Sequence, residues 1–163
     1  MSKFKTTADG DLLLTGSGTM PNGLSGFIMK ITPSTGNVVW LKSVETNTLT
    51  TGGDGTEAFY DVFSTIDSGA IVAGRGYRAN SHSEMLYGKY SKNGTIEWMK
   101  KIQITNVLED SYINSVIEIP DGSFVFAGTS YSGSYESRGI VLKQIYQVIL
   151  YGQNHLEALK QLL

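Results

Sequence analysis

An Asp-led turn, an apolar run and a closing small residue plus glycine occur three times along this chain. Asp9 precedes Leu12-Leu13-Leu14 and Thr15-Gly16; Asp67 precedes Ile71-Val72-Ala73-Gly74; Asp121 precedes Phe124-Val125-Phe126-Ala127-Gly128. A second landmark follows twice at constant distance. The interval from Gly16 to Gly36 is repeated from Gly74 to Gly94, and that from Gly16 to Trp40 is repeated from Gly74 to Trp98. The period, read from Gly16 to Gly74 and from Gly74 to Gly128, holds four short apolar segments, which is the pattern of β-propeller blades. The expected fold is all-β: a partial β-propeller of about three four-stranded antiparallel blades, with a short C-terminal helix. Residues 1–143 carry the repeats, with blades at about 1–44, 58–103 and 111–145, and residues 144–163 form a divergent tail.

The second copy is complete, with strands expected over 58–66, 70–77, 85–91 and 95–101. Its second strand is nearly all apolar, which implies cover on both faces. Each copy of that strand ends in glycine (Gly16, Gly74, Gly128), where a close backbone approach would exclude a Cβ. Asn93-Gly94 between extended segments predicts a short hairpin, because both residues tolerate positive φ. Thr35-Gly36 is its counterpart in the first copy, and Asp9-Gly10, Asp67-Ser68-Gly69 and Asp121-Gly122 predict turns between strands one and two. The first copy keeps only residues 4–7 of its first strand, and the third offers strands at 112–119, 123–128 and 139–145. The stretches 21–26, 78–84 and 131–137, rich in Ser, Gly and Asn, are expected as loops.

The run Gly26-Phe27-Ile28-Met29-Lys30-Ile31-Thr32-Pro33-Ser34-Thr35-Gly36-Asn37-Val38-Val39-Trp40 resembles the PQQ-like β-propeller repeat, with its strand, Thr-Gly turn and Val-x-Trp ending. Together with the Asp-Gly and Ala-Gly element it is similar to repetitive propeller proteins of bacterial cell surfaces and secretions. The resemblance covers residues 1 to about 143. It implies a parent protein that is extracellular or on the cell surface, although no signal peptide is encoded in this chain. By the register of the first two copies, Gly is due near position 148 and Trp at 152, where the chain has Val148 and Gly152. A shifted reading frame can spell Gly-Asn-Ile-Ile-Trp-Ser-Lys there, matching Gly36-Asn37-Val38-Val39-Trp40-Leu41-Lys42. A frameshifted blade in a truncated piece of a longer gene is one explanation. The other is a genuine C-terminal element, since Asn154 and Glu157 form a capping-box-like start and Leu156, Leu159, Leu162 and Leu163 follow at helical spacing. Either way, residues 144–151 are expected extended and about 155–162 helical.

A net charge of -2 supplies no field for nucleic acid. No apolar stretch approaches the roughly 20 residues of a membrane span. With no cysteine, disulfides and thiolate metal sites are excluded. His82 and His155 are the only histidines and stand far apart, which argues against a metal or triad role. Asp54 and the Glu109-Asp110 pair lack the alternating oxygen spacing of a calcium loop. Gly52-Gly53-Asp54-Gly55 and Gly74-Arg75-Gly76 precede no helix, which disfavours a phosphate cradle. Trp40 and Trp98, fixed in the repeat, are expected to pack between adjacent blades. Tyr60, Tyr77, Tyr87, Tyr131 and Tyr135 could line a carbohydrate or peptide surface.

No catalytic, cofactor-binding or metal residue is assigned, and no cofactor is expected. The positions singled out are structural repeat positions: Asp9, Gly16, Gly36, Trp40, Asp67, Gly74, Gly94, Trp98, Asp121 and Gly128. The expected function is a non-catalytic binding or structural module, part of a larger bacterial surface or secreted protein, that holds an unknown protein or glycan through its blade loops. The alternative, motivated by the Thr-Gly and Trp endings, is a fragment of an enzyme like the quinoprotein dehydrogenases, which use pyrroloquinoline quinone. A third possibility is that the chain alone has no function. Propellers close with about four to eight blades, so three leave open edges prone to self-association.

Overall fold

The computed structural model describes residues 3–20, 23–44, 57–77, 82–102, 110–131, 137–144 and 148–152. All regular structure in them is β. In chain order the strands are β1 (Lys3–Thr6), β2 (Leu12–Met20), β3 (Gly23–Thr32), β4 (Asn37–Ser43), β5 (Ala58–Ser64) and β6 (Ala70–Tyr77). They continue with β7 (Ser83–Tyr90), β8 (Ile96–Ile102), β9 (Asp110–Glu118), β10 (Phe124–Tyr131), β11 (Ser137–Gln144) and β12 (Val148–Gly152). Each successive group of four forms one antiparallel sheet whose strands pair in sequence order. The helix expected at about 155–162 lies outside the described residues. Between β2 and β3 the strands reach further than the expected 21–26 loop, with Met20 paired to Gly23.

The β7–β8 turn falls at Asn93-Gly94, as expected, and leaves three residues between the paired Ser91 and Thr95. Gly94 N–H donates to Ser91 O at 2.9 Å and Ser91 N–H to Thr95 O at 2.8 Å, and within Asn93-Gly94 only the glycine has positive φ. This is a turn followed by a left-handed glycine, the geometry of a three-residue hairpin loop. Asp67-Ser68-Gly69 uses the same geometry with Ser68, not Gly69, in the left-handed slot at φ 60°. Gly69 is needed for a different reason: a Cβ there would lie 2.5 Å from Tyr90 O.

Two apolar cores separate the three sheets. Leu13 and Ile28 of the first sheet meet Val62, Val72 and Tyr90 of the second. On its other face the second sheet packs Ile71, Met85 and Tyr87 against Ile113, Phe126 and Leu142 of the third. The second sheet is thus sandwiched, and five consecutive residues of β6 from Ala70 are buried. The equally apolar β10 is not covered this way: Phe124 and Phe126 are buried, Val125 is half-buried and Ala127 exposed. In β2, Leu13 is buried while Leu12 and Leu14 are half-buried. Cover on both faces, expected of the second strand of the second copy, is found there, because that sheet alone of the three has a described neighbour on each side.

The tail supplies β12, which pairs along β11 with Ile149 opposite Lys143. In the other sheets the residue opposite the corresponding lysine is Trp40 or Trp98. The fourth strand of the third sheet therefore enters earlier than the repeat spacing, which put Trp at 152.

Candidate functional site

The two ends of the sheets carry different chemistry. At the end holding the β1–β2, β5–β6 and β9–β10 turns, each repeat aspartate is tied to a lysine of the third strand. Lys30 Nζ donates to Asp9 Oδ2 at 2.8 Å, Lys89 Nζ to Asp67 Oδ2 at 2.7 Å and Lys143 Nζ to Asp121 Oδ2 at 3.0 Å. The other carboxylate oxygen holds the turn itself: Asp9 accepts from the Thr7 hydroxyl, Asp67 from the Thr65 hydroxyl and Gly69 N–H, and Asp121 from the Ser123 hydroxyl and N–H. The hydrogen bond from Lys30, then that from Thr7, keeps the Asp9 carboxyl below its ordinary pKa. Burial pushes the Asp67 pKa up, but the hydrogen bonds from Lys89, Thr65 and Gly69 outweigh it and hold the carboxyl at about 2. The Ser123 hydroxyl and N–H, followed by Lys143, hold Asp121 at about 2.

The lysines were not among the positions singled out from the sequence. A signal was there: the aspartate-to-lysine separation is 21, 22 and 22 residues in the three copies.

The repeat tryptophans stand against the following sheet. The Trp40 indole N–H donates to Lys92 O at 2.9 Å, and its ring stacks on Tyr90 at 6.4 Å between centroids. Gly94 provides the seat, since a Cβ there would come within 2.8 Å of Trp40 Cδ2. Trp98 lies between Tyr87 of its own sheet and Phe124 of the third, at 5.8 and 6.1 Å. Gly36 occupies the β3–β4 turn with φ 71°. Gly16 is buried and pairs with Phe27. Gly74 and Gly128 stand beside bulges of β5 and β9, where the neighbouring backbone crowds in. A Cβ on Gly74 would lie 2.8 Å from Phe59 Cα and closer still to Ala58 O.

The opposite end gathers aromatic rings and the Arg75 guanidinium. Tyr60 sits at the β5 bulge, edge-on to Tyr112 at 5.8 Å, and Tyr112 lies 5.8 Å from Tyr131. The Tyr112 hydroxyl donates to that of Tyr131 at 3.1 Å. The Arg75 guanidinium lies 4.8 Å over the Tyr77 ring. The hydrogen bond to Tyr131, with burial second, pushes the Tyr112 phenol up to about 12. Burial also raises Tyr60, against the opposing charge of Arg75. The Tyr60 and Tyr112 phenols are therefore neutral at physiological pH, and the group offers ring faces and hydroxyls near the Arg75 guanidinium, a combination suited to stacking and hydrogen bonding.

Of the tyrosines named from sequence, Tyr60, Tyr77 and Tyr131 come together here. Tyr87 is buried in the core, and Tyr135 lies outside the described residues. Arg75 meets Tyr77 along β6 itself, and Tyr112 joins Tyr60 through the packing of β5 against β9.

Beside this group, Lys101 Nζ is 3.2 Å from Glu84 Oε1 and 4.0 Å from Glu57 Oε1, with all three side chains nearly buried. His82 Nδ1 is 3.7 Å from Asp110, whose Oδ1 also accepts from Ser83 N–H at 2.6 Å. Among the described residues no three or more histidine, aspartate or glutamate side chains converge as metal ligands, and no helix is long and apolar enough to cross a membrane. Asp54, Glu109 and His155 lie outside the described residues. No family model matches this chain, and a search of curated proteins finds no match.

Proposed function

We propose that this chain is a non-catalytic binding or structural module of the propeller type. Its three sheets are read as blades of the PQQ-like kind, and its ligand is a protein or glycan taken at the end where Tyr60, Arg75, Tyr77, Tyr112 and Tyr131 gather. The observation that carries this is the contrast between the ends. At one, the recurring polar residues are consumed in ties that hold turns, with Asp9, Asp67 and Asp121 each closed by a lysine. At the other, Tyr131 stays well exposed against Tyr112, and the Arg75 guanidinium lies over Tyr77. The strand connections at that end vary in sequence between copies, as loops on a rigid scaffold do when they carry recognition.

Glycan and peptide arrays probed with the full chain test the binding reading. A selective signal that disappears in Tyr131→Ala and in Arg75→Ala, with unchanged circular dichroism, is expected. No selective signal, or one unaffected by both substitutions, overturns it. The propeller reading has its own test. An experimental density map should show the sheets fanned about a common axis with β1, β5 and β9 innermost; sheets stacked without such an axis would refute it.

A further inference from the structure

The second sheet shows, twice, how two different kinds of face mate in this chain. The shift that lays Gly16 on Gly74 also carries Phe4, Leu12 and Leu14 onto Val62, Ala70 and Val72. The latter three are fully buried against the first sheet. The shift that lays Gly74 on Gly128 carries Phe63, Ile71, Ala73 and Tyr87 onto Ile117, Val125, Ala127 and Val141. The first four pack against the third sheet.

The same two faces recur uncovered at the ends of the stack. On the first sheet, Phe4, Leu14, Met29 and Leu41 form one cross-strand row, paired β1 to β2, β2 to β3 and β3 to β4. Phe4 is 72% exposed and Leu41 52%, whereas Val62, which corresponds to Phe4, is fully buried. On the third sheet, Ile117 and Val141 are 46% and 42% exposed where Phe63 and Tyr87 are covered. The turn seat is open as well. No described atom lies within 4 Å of a Cβ built on Gly36, while Gly94, its counterpart in the second copy, is filled by Trp40.

We propose that two copies of this chain dock head to tail, the open face of the first sheet of one copy against the open face of the third sheet of the other. The chain's own two interfaces are the template: each joins a face of the kind open on the third sheet to a face of the kind open on the first. The two faces are unlike, so the contact is heterologous, and two copies that engage both faces form a closed set of six sheets. Six lies within the roughly four to eight sheets at which rings of such repeats close. The head-to-tail contact stands on the face correspondence alone and does not require the ligand-binding proposal.

The test is the mass in solution of the full chain and of two variants, measured by light scattering across a wide concentration range. Phe4→Asp/Leu41→Asp blocks the first sheet, and Ile117→Asp/Val141→Asp blocks the third. All four positions are exposed in the single chain, so circular dichroism should be unchanged. The wild-type chain should run at twice its monomer mass, and each variant alone should associate at least about tenfold more weakly. An equimolar mixture of the two variants retains one intact pair of faces and should recover the dimer. A wild type that stays monomeric at every concentration overturns the proposal. So does a third-sheet variant that self-associates like wild type, because the contact would then join like faces, and so does a mixture that stays monomeric. A ladder of larger masses keeps the head-to-tail contact but overturns the closed pair. The array experiment is read separately, so either proposal can fail without the other.

Discussion

Replacing Gly74 with alanine should damage this fold far more than one methyl group suggests. The glycine sits in the middle of β6, beside the place where β5 bulges and pairing slips between Phe59 and Asp61. The added Cβ would stand 2.8 Å from Phe59 Cα and 2.9 Å from the Ala58 carbonyl carbon, with the Ala58 oxygen nearer still. All three are backbone atoms of a paired strand, so no side chain can swing aside. Overpacking a tight site costs about 1–3 kcal/mol, and a backbone obstacle argues for the upper end. At about 2–4 °C per kcal/mol for a chain of this size, that is a fall in Tm of roughly 6–12 °C. Denaturant titration followed by tryptophan fluorescence, with a thermal scan by circular dichroism, measures both quantities. Gly139→Ala is the control, since nothing lies within 4 Å of a Cβ built there; it should change stability by less than about 0.5 kcal/mol. If Gly74→Ala and Gly139→Ala unfold alike, the close approach at the bulge is not what demands glycine.

Three further outcomes follow from contacts between and within sheets. Asp61 Oδ2 accepts from Ser115 Oγ and from Val116 N–H, both at 3.0 Å, across the second and third sheets. Asp61→Ala should cost about 1–3 kcal/mol in denaturant titration, because it strands a buried N–H; a change within error would show that Asp61 does not tie the sheets. Trp40→Ala removes the bond to Lys92 O and the stack on Tyr90. The ring is only half-buried, so the loss should be about 1–2 kcal/mol, below the roughly 3–5 of a core aromatic, and Trp40→Phe should recover part of it. Acid should weaken the turn ties. Asp67 is held at about 2 in the folded chain, below the roughly 3.9 of an unfolded aspartate. Its contribution is therefore present above about pH 4 and lost as pH falls toward 2. Solvent screening of a half-exposed pair limits it to less than about 1 kcal/mol. Asp67→Asn should flatten that limb of the stability curve, and an unchanged acid limb would exclude the tie as its source.

The repeat, the class of structure and most strand positions could be read along the chain, because strand alternation and turn chemistry are local. The segment 70–77 folds as expected, and Asp9, Asp67 and Asp121 head turns through their own side-chain oxygens. The Asp-to-Lys ties were within reach as well, at an almost constant separation, but the lysines look like ordinary strand residues until the third strand is folded beside the turn. Cover on both faces of β6 was legible in its apolar run, but such a run does not by itself tell which copies are covered. Leu12-Leu13-Leu14, Ile71-Val72-Ala73 and Phe124-Val125-Phe126 are alike as strings, yet only the middle one is buried on both faces, since burial is a property of the neighbour and not of the strand. The bulges that crowd Gly74 and Gly128, and the meeting of Tyr60, Arg75 and Tyr77 with Tyr112 and Tyr131, arise the same way. Residues far apart along the chain come together only when one sheet is laid on the next, and a one-dimensional pattern carries no record of that distance.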